Sequence, residues 1–305
     1  MRMSPGMRGT NTSTTPSRTA ATPTRIRTRP RSCIMRSMPD DRDGEKHRET
    51  VRASFDKQAV EFSESPVMTD RAALERLVGW AAVSGGERVL DVACGPGLVA
   101  AAFAPHVAQV VGVDLTPAML ARATAIVRER GIANAAFAQA DVERLPFPDR
   151  CFDRVVSRRA FHHFPDPAPV LAEMARVCAA GGAIVIEDQA PPPDPAAANV
   201  MTTIDRLRDP SHTRAVDPES WAALCAASGL TLERVWLSAL ELEVEEWITR
   251  AHPAPADGAR AREMLEAAAR GEFPGLHAWH ADGALRFTVG LQLVRAVKGA
   301  SRPTA

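Results

Sequence analysis

Tyrosine is missing from this chain, and lysine nearly so: Lys46, Lys57 and Lys298 are the only three. Arginine carries almost all the positive charge. Together with the excess of alanine and proline, this reads as the imprint of GC-rich coding rather than of function. No apolar run reaches the roughly 18–20 residues that a membrane-spanning helix needs. The formal net charge is zero, so no global field draws the chain to nucleic acid or to a membrane surface. The five cysteines (Cys33, Cys94, Cys151, Cys178 and Cys225) are scattered without paired spacing. That pattern excludes a metal knuckle and a disulfide framework, and it points to a reducing compartment. No metal site is expected, and no internal repeat is present.

The 305 residues, 45% of them hydrophobic, are enough for one large domain or two small ones. Residues 1–45 stand apart. Eight arginines and no acidic residue occur up to Arg36, among many Ser, Thr and Pro. Such a segment buries too little apolar surface to fold and is expected to be a disordered basic tail. It reads as a transit-type presequence, a polyanion-binding arm, or an extension from an early start codon with Met35 or Met38 as the native start. Helical spacing of Val51, Phe55, Ala59 and Phe62 follows, then a second helix over "TDRAALERLVGWAAV" capped by Thr69 or Asp70.

From "RVLDVA" onward, strands alternate with helices. The strand "VVGVD" precedes a helix opened by Thr116 and Pro117. "AAFAQAD" and "FDRVVS" are further strands. A helix opened by Asp166-Pro167 and closed by Gly181-Gly182 leads into "AIVIED". Near-continuous apolar strands separated by helices predict a parallel sheet covered on both faces. Beyond Asp188 the alternation lapses into helices, two strand-like segments ("TLERVWLSALELEV" and "ALRFTVGLQLVRAV") and helices around Trp247 and over Pro255–Arg270.

Three successive strands run into a carboxylate: Asp91, Asp114 and Asp141. Gly95 and Gly97 follow the first of them. In open parallel sheets ligands sit at the carboxyl ends of the strands, and glycine lets backbone approach a ligand closely. The turn A-C-G-P-G-L-V lacks the third glycine of the dinucleotide pattern G-x-G-x-x-G. Asp91, just before it, suits a positive group rather than a pyrophosphate. Asp114, 23 residues beyond Asp91, is placed to meet a ribose, and Asp141 to accept from an adenine amino group. An ammonium, a ribose and an adenine without phosphate describe S-adenosylmethionine.

These segments resemble the class I methyltransferases of the ubiquinone/menaquinone-biosynthesis type (type 11). "VLDVACGPG" is similar to the first family motif, with Ala93 in place of its first glycine. "VVGVDLTPAML" is similar to the second, "ADVERLPFPDRCFDRVVS" to the third and fourth, and "LAEMARVCAAGGAIVIED" to the helix–strand step. The resemblance covers about Phe55 to Val297. It implies an α/β, Rossmann-like, doubly wound seven-stranded sheet, mostly parallel with the last strand antiparallel, an N-terminal helical lid and a helical insert. The methyltransferase domain is expected over 46–300, with the lid over 46–86, the cofactor core over 87–188, and acceptor-side cap helices over 189–228 and 244–283.

By the same resemblance Asp91 anchors the methionine end of the cofactor through the loop or water, and Ala93, Cys94, Gly95 and Gly97 line it. Asp114 takes the ribose hydroxyls, Leu115 and Met119 flank the adenine, and Asp141 and Val142 read its edge. Ser157 and Arg158 lie beneath the methionine end. For Met119, core packing is an equal reading. Methyl transfer from a sulfonium chiefly needs alignment and exclusion of water. A general base helps where the acceptor is a phenol, amine or carbon acid. His162 and His163, in "SRRAFHHFPDP", are the candidates for it, with a structural role as the alternative. Arg208, His212 and Arg214, among Asp205, Arg206 and Asp209, are candidates to grip an anionic acceptor, or else form a solvated helix face with internal ion pairs. Trp221 and Trp247 wall the substrate or belong to the core. Cys94 reads as a small filler, and Cys151, Cys178 and Cys225 as core.

The expected activity is methylation of a small-molecule acceptor at oxygen, nitrogen or carbon, in cofactor or secondary metabolism. The expected location is cytoplasmic, with no nucleic-acid or membrane partner and with a homodimer among the allowed assemblies. The alternatives are an RNA or protein methyltransferase holding its polymer with the basic tail, and a non-catalytic cofactor-binding scaffold. Against the first, the chain carries no N-P-P-Y-type tetrad for amino-group methylation of bases. A dehydrogenase is disfavoured by the missing third glycine.

Overall fold

The computed structural model describes residues 42–300. The basic tail lies outside the described residues up to position 41, and positions 42–45, expected to belong to it, instead open the first helix. The chain begins with α1 (Arg42–Glu64) and α2 (Arg71–Ala81). It continues through β1 (Arg88–Val92), α3 (Leu98–Phe103), β2 (Gln109–Asp114), α4 (Pro117–Glu129), β3 (Ala135–Gln139), β4 (Phe152–Arg158), α5 (Pro167–Val177) and β5 (Cys178–Ala190). The later part holds α6 (Pro195–Arg208), α7 (Trp221–Ala227), β6 (Leu230–Glu243), α8 (Val244–Thr249), α9 (Pro255–Ala269), β7 (Ala278–Ala281) and β8 (Ala284–Lys298).

Local chemistry sets most of these boundaries. The Asp70 carboxylate accepts from the Ala72 amide at 3.0 Å, and Asp166 accepts from Ala168 at 2.9 Å; each caps a helix start. Thr116 does not cap α4 with its hydroxyl. Asp114 takes the Thr116 amide instead, at 2.9 Å. Gly181 and Gly182 do not close α5, which ends at Val177; both lie inside β5. There the pairing with β4 slips, from Phe152 opposite Cys178 to Arg154 opposite Ala183. Gly181 takes φ +77°, and a Cβ on Gly182 would lie 2.7 Å from the Asp153 carbonyl. The glycines serve a bulge rather than a helix end.

The sheet runs β3-β2-β1-β4-β5-β8-β6. The first five strands are parallel, and β8 enters antiparallel between β5 and β6. This seven-strand path is the expected one. An eighth strand, β7, pairs with the first residues of β8. It occupies a stretch expected to be cap helix. Asp282 and Gly283, at φ +51° and +77°, make the two-residue turn that folds it back.

Alternation along the parallel strands sends neighbouring side chains to opposite faces. Leu90, Val155 and Ile184 pack with Leu171 and Met174 of α5 and Trp221 of α7. Their neighbours Val89, Val156 and Val185 pack with Leu77 of α2 and Phe103 of α3. Pairing of β5 with β8 ends at Ala190 opposite Gly290, whereas β6 and β8 continue together to Glu243 opposite Arg286. The two strands therefore project past the carboxyl end of β5. Phe287 and Val289 on this projection join Trp247, Ile248, Leu265 and Ile204 in a separate apolar cluster. That cluster fixes α6, α8 and α9 as a cap above the strand tips. Among the described residues no helix is long and apolar enough to cross a membrane.

Candidate active site

Strand order reverses between β1 and β4, since β2 and β3 lie to one side and β5 to the other. At such a switch point the loops diverge and leave a crevice. The turn after β1 enters it with Ala93 at φ +55°, Gly95 at +50° and Gly97 at +77°. The Gly95 amide donates to Asp114 Oδ2 at 2.8 Å, and the Cys94 amide to the Val113 carbonyl at 2.9 Å. The tip of β2 thus fixes the turn after β1. Gly97 packs so closely that a Cβ there would stand 2.8 Å from Ala123 Cβ.

A cavity opens above this turn. Ala93, Cys94, Gly95, Asp114, Leu115, Met119, Asp141, Val142 and Arg158 border it, together with the lid residues Arg48, Val51, Phe55, Phe62 and Met68. Asp114 keeps its carboxylate at the rim while two backbone amides hold it in one orientation. Asp141 accepts from the Glu143 amide at 3.0 Å, and Arg48 stands 3.8 Å from its other oxygen. Arg158 is buried; it donates to Glu187 at 2.9 Å and to the Met68 carbonyl at 3.0 Å, which ties the lid to the sheet. Met119 is buried and also faces the cavity, so it serves core and cavity alike.

Three residues expected at the cofactor do not border the cavity. Gly97 acts through close packing. Ser157 is buried and donates to the Val92 carbonyl at 2.9 Å, joining β4 to β1. Asp91 lies beneath the turn with both carboxylate oxygens buried and without a hydrogen-bond partner. Burial, reinforced by the neighbouring Asp114 charge, pushes its carboxyl up to about 8. Burial likewise raises the Cys94 thiol well above its ordinary value, which fits a filler and not a nucleophile.

A second cavity adjoins the first through Phe55, Phe62, Met68, Arg159 and His163. Its own walls include His162, His212, Arg208, Arg250, Gln189 and Trp247. His163 is thus the histidine shared by both spaces, and His162 faces only the second. The His162 ring donates through Nδ1 to Asp188 Oδ1, while its amide donates to Asp188 Oδ2 at 3.0 Å. Gln58 of α1 donates to Asp209 at 3.0 Å, Ser211 donates to the same carboxylate at 2.6 Å, and Ser211 Oγ lies 3.0 Å from His163 Nδ1. Burial holds the His163 and His212 rings well below their ordinary values, and the nearby His162 adds to it. Both imidazoles are therefore neutral near pH 7.

Arg208 is buried, not solvated. It donates to the Trp247 carbonyl at 2.6 Å and lies over the Trp247 ring at 4.7 Å. Arg214 is exposed and borders neither cavity. Trp221 is core, as its contact with Phe161 shows. Arg159 and Arg250 are bordering residues that pattern reasoning did not single out. Arg159 sits at φ +58° beside Glu187; no sequence signal reports a left-handed arginine. Asp188, at the end of "AIVIED", repeats the strand-tip carboxylates before it and was legible on that ground.

A glycine turn and acidic strand tips at the switch point of a doubly wound sheet make a nucleoside-binding α/β enzyme. The family model described as "Methyltransferase domain" matches residues 90–186. The uncharacterized methyltransferase YcgJ of Bacillus subtilis is 34% identical over 201 residues, 66% of this chain and 79% of YcgJ. Its crystal structure superposes with a TM-score of 0.70 over 75% of this chain and 99% of YcgJ. The crystal structure of a putative methyltransferase from Bacillus halodurans, 31% identical, gives the same TM-score over 75% of this chain and all of that one. Demethylmenaquinone methyltransferase of Thermus thermophilus is 39% identical over 120 residues, 39% of this chain and 54% of that enzyme. The chain belongs to the type 11 family of class I S-adenosylmethionine-dependent methyltransferases.

Proposed function

We propose that the enzyme methylates a small polar molecule held in the second cavity, with S-adenosylmethionine lying in the first. The observation that carries this reading is the direct adjoining of the two spaces at Phe55, Phe62, Met68, Arg159 and His163. The cofactor supplies a methyl group on a sulfonium, already a good leaving group. The protein's task is then to orient, to enclose and to keep water out.

The site fits the cofactor on its own chemistry. Asp114, pinned by the Gly95 and Thr116 amides, retains lone pairs for ribose hydroxyls. Asp141, Val142, Leu115 and Met119 all border this cavity, which supports the first two as readers of an adenine edge and the last two as apolar contacts to its face. Asp91 holds an unmatched carboxyl under the turn and acts on the methionine end through the turn rather than by direct contact. Phe55 and Phe62 of the lid close over the junction. His163 borders both spaces, so it is the histidine placed to touch an acceptor. Arg159, Arg208 and Arg250 favour an acceptor with an anionic or strongly polar group.

The demethylmenaquinone methyltransferase similarity supports a small acceptor in cofactor metabolism. The second cavity, walled on one side by the cap residues Arg208, Leu242, Trp247 and Arg250, supports the same class over an RNA or a protein surface. A cytoplasmic enzyme follows from the same reading. The test is S-adenosylhomocysteine release from the full chain with phenols, quinones, amines and carboxylates, beside RNA and protein. Turnover on a small acceptor is expected. Turnover on polymer alone, or cofactor binding with no turnover on any of these, would sink the reading.

A further inference from the structure

The second cavity contains a feature that methyl transfer does not require. His162, His163 and His212 are all buried, and one ring nitrogen from each lies within 4.8 Å of the other two. They come from two places in the chain: the turn after β4 and the segment after α6. Ring centroids stand 4.2, 4.4 and 4.7 Å apart in the three pairs.

Each ring has an acidic neighbour behind it. His162 Nδ1 donates to Asp188. The Ser211 hydroxyl proton is committed to Asp209 at 2.6 Å, so Ser211 Oγ is left to accept from His163 Nδ1 at 3.0 Å. His212 Nδ1 faces Asp205 Oδ2 at 3.7 Å. For His162 and His163 these contacts place the ring proton on Nδ1 and leave Nε2 as the bare lone pair; His212 Nδ1, at 3.7 Å from Asp205, makes no hydrogen bond, so either of its ring nitrogens is open to a ligand. Three imidazoles gathered on one space, with Asp188, Asp205 and the Ser211–Asp209 pair behind them, repeat the ligand and outer-shell logic of protein metal sites.

We propose that one ring nitrogen each of His162, His163 and His212 binds one divalent first-row transition ion, with zinc the ion that best suits an all-imidazole set. Zinc–nitrogen bonds of about 2.0–2.1 Å in a tetrahedral set would bring the nitrogens to about 3.4 Å from one another. The nitrogens, now within 4.8 Å of one another, would close by up to about 1.4 Å on binding the ion. Three protein ligands leave a coordination position free. Because all three rings border the second cavity, an oxygen of the acceptor can complete the shell. Asp188, Asp205 and Asp209 are the positioning residues, and they balance the added charge.

The test uses the full chain stripped with a chelator and then titrated with zinc by calorimetry, and with cobalt read by visible absorption. One equivalent is expected in both, with a cobalt spectrum of low-coordinate nitrogen ligation. His212→Ala should weaken zinc at least 100-fold. Asp188→Asn, which keeps all three ligands, should weaken it about 10–100-fold. His280→Ala, at an exposed histidine on β7, should leave it unchanged. S-adenosylmethionine affinity, measured on every variant, reports that the fold persists and tests the methyltransferase reading separately. Failure of the stripped wild type to take one equivalent would overturn the site. Full zinc affinity in both His212→Ala and Asp188→Asn would overturn it as well.

Discussion

Single residues here gain their roles from where the backbone holds them. Asp114 is fixed by two amide donors and borders the first cavity. Replacement by alanine should weaken S-adenosylmethionine binding about 100-fold, or about 2.7 kcal/mol, as read by calorimetry. Asp91 is governed by burial. Its folded value, about 8, lies above that of an exposed carboxyl. The native chain therefore keeps a proton that the unfolded chain releases from about pH 4 upward. Stability contributed by this group is complete at low pH and is lost as pH rises toward 8, with a limiting slope of about 1.4 kcal/mol per pH unit. Asp91→Asn should flatten that slope in melting curves of the cofactor-free enzyme between pH 5 and 8. An unaltered slope would show that Asp91 is ionised in the folded chain. Gly97→Ala meets two costs at once, a left-handed φ and a 2.8 Å approach to Ala123. It should cost about 2–4 kcal/mol in denaturant unfolding.

At the scale of elements, α1 is more than a cover. Arg122 of α4 donates to Ser63 at 2.8 Å and Glu64 at 3.2 Å. His47 Nε2 donates to the His163 carbonyl at 2.7 Å, and Gln58 reaches Asp209. Phe55 stands edge-on to Phe62 and to His163, at 6.1 and 4.9 Å between centroids, above the junction of the cavities. Phe55→Ala should raise the cofactor Kd about tenfold and lower kcat, because water then reaches the junction. Its melting temperature should change little, since Phe55 is only half-buried. The helical spacing of Val51, Phe55, Ala59 and Phe62 made this element legible in the sequence; which face met the site was not. The Asp282-Gly283 pair is a two-residue hairpin signal that the reading of 244–283 as cap helix left unused. Gly181-Gly182 gave the opposite error: a glycine pair after a helix reads as its stop, but only the slipped register with β4 reveals a bulge.

Across the whole molecule, buried polar links join segments that are distant in sequence. Gln292 of β8 accepts from Trp221 Nε1 and donates to the Gln189 and Val216 carbonyls, each at 2.7 Å. One side chain thereby ties the parallel core to the late strands and the segment before α7. Gln292→Leu would leave the buried Trp221 Nε1 and two partly buried carbonyls without their partner and should cost about 2–4 kcal/mol. Chemical denaturation of the wild type and variant would measure it; near-identical midpoints would mean that water replaces the amide.

The sequence by itself determined the alternation of strands and helices, the parallel core, and the acidic strand tips around the glycine turn. Apolar periodicity, turn residues and strand-end carboxylates are local signals that survive in one dimension. Only the tertiary structure decided that Asp91 and Ser157 lie below the cavity, that Arg159 borders both spaces, and that His212 joins His162 and His163 across about 50 residues. Those facts depend on which side chains the projecting β6–β8 pair and the lid bring to one point. Contact between distant segments leaves no period in the sequence.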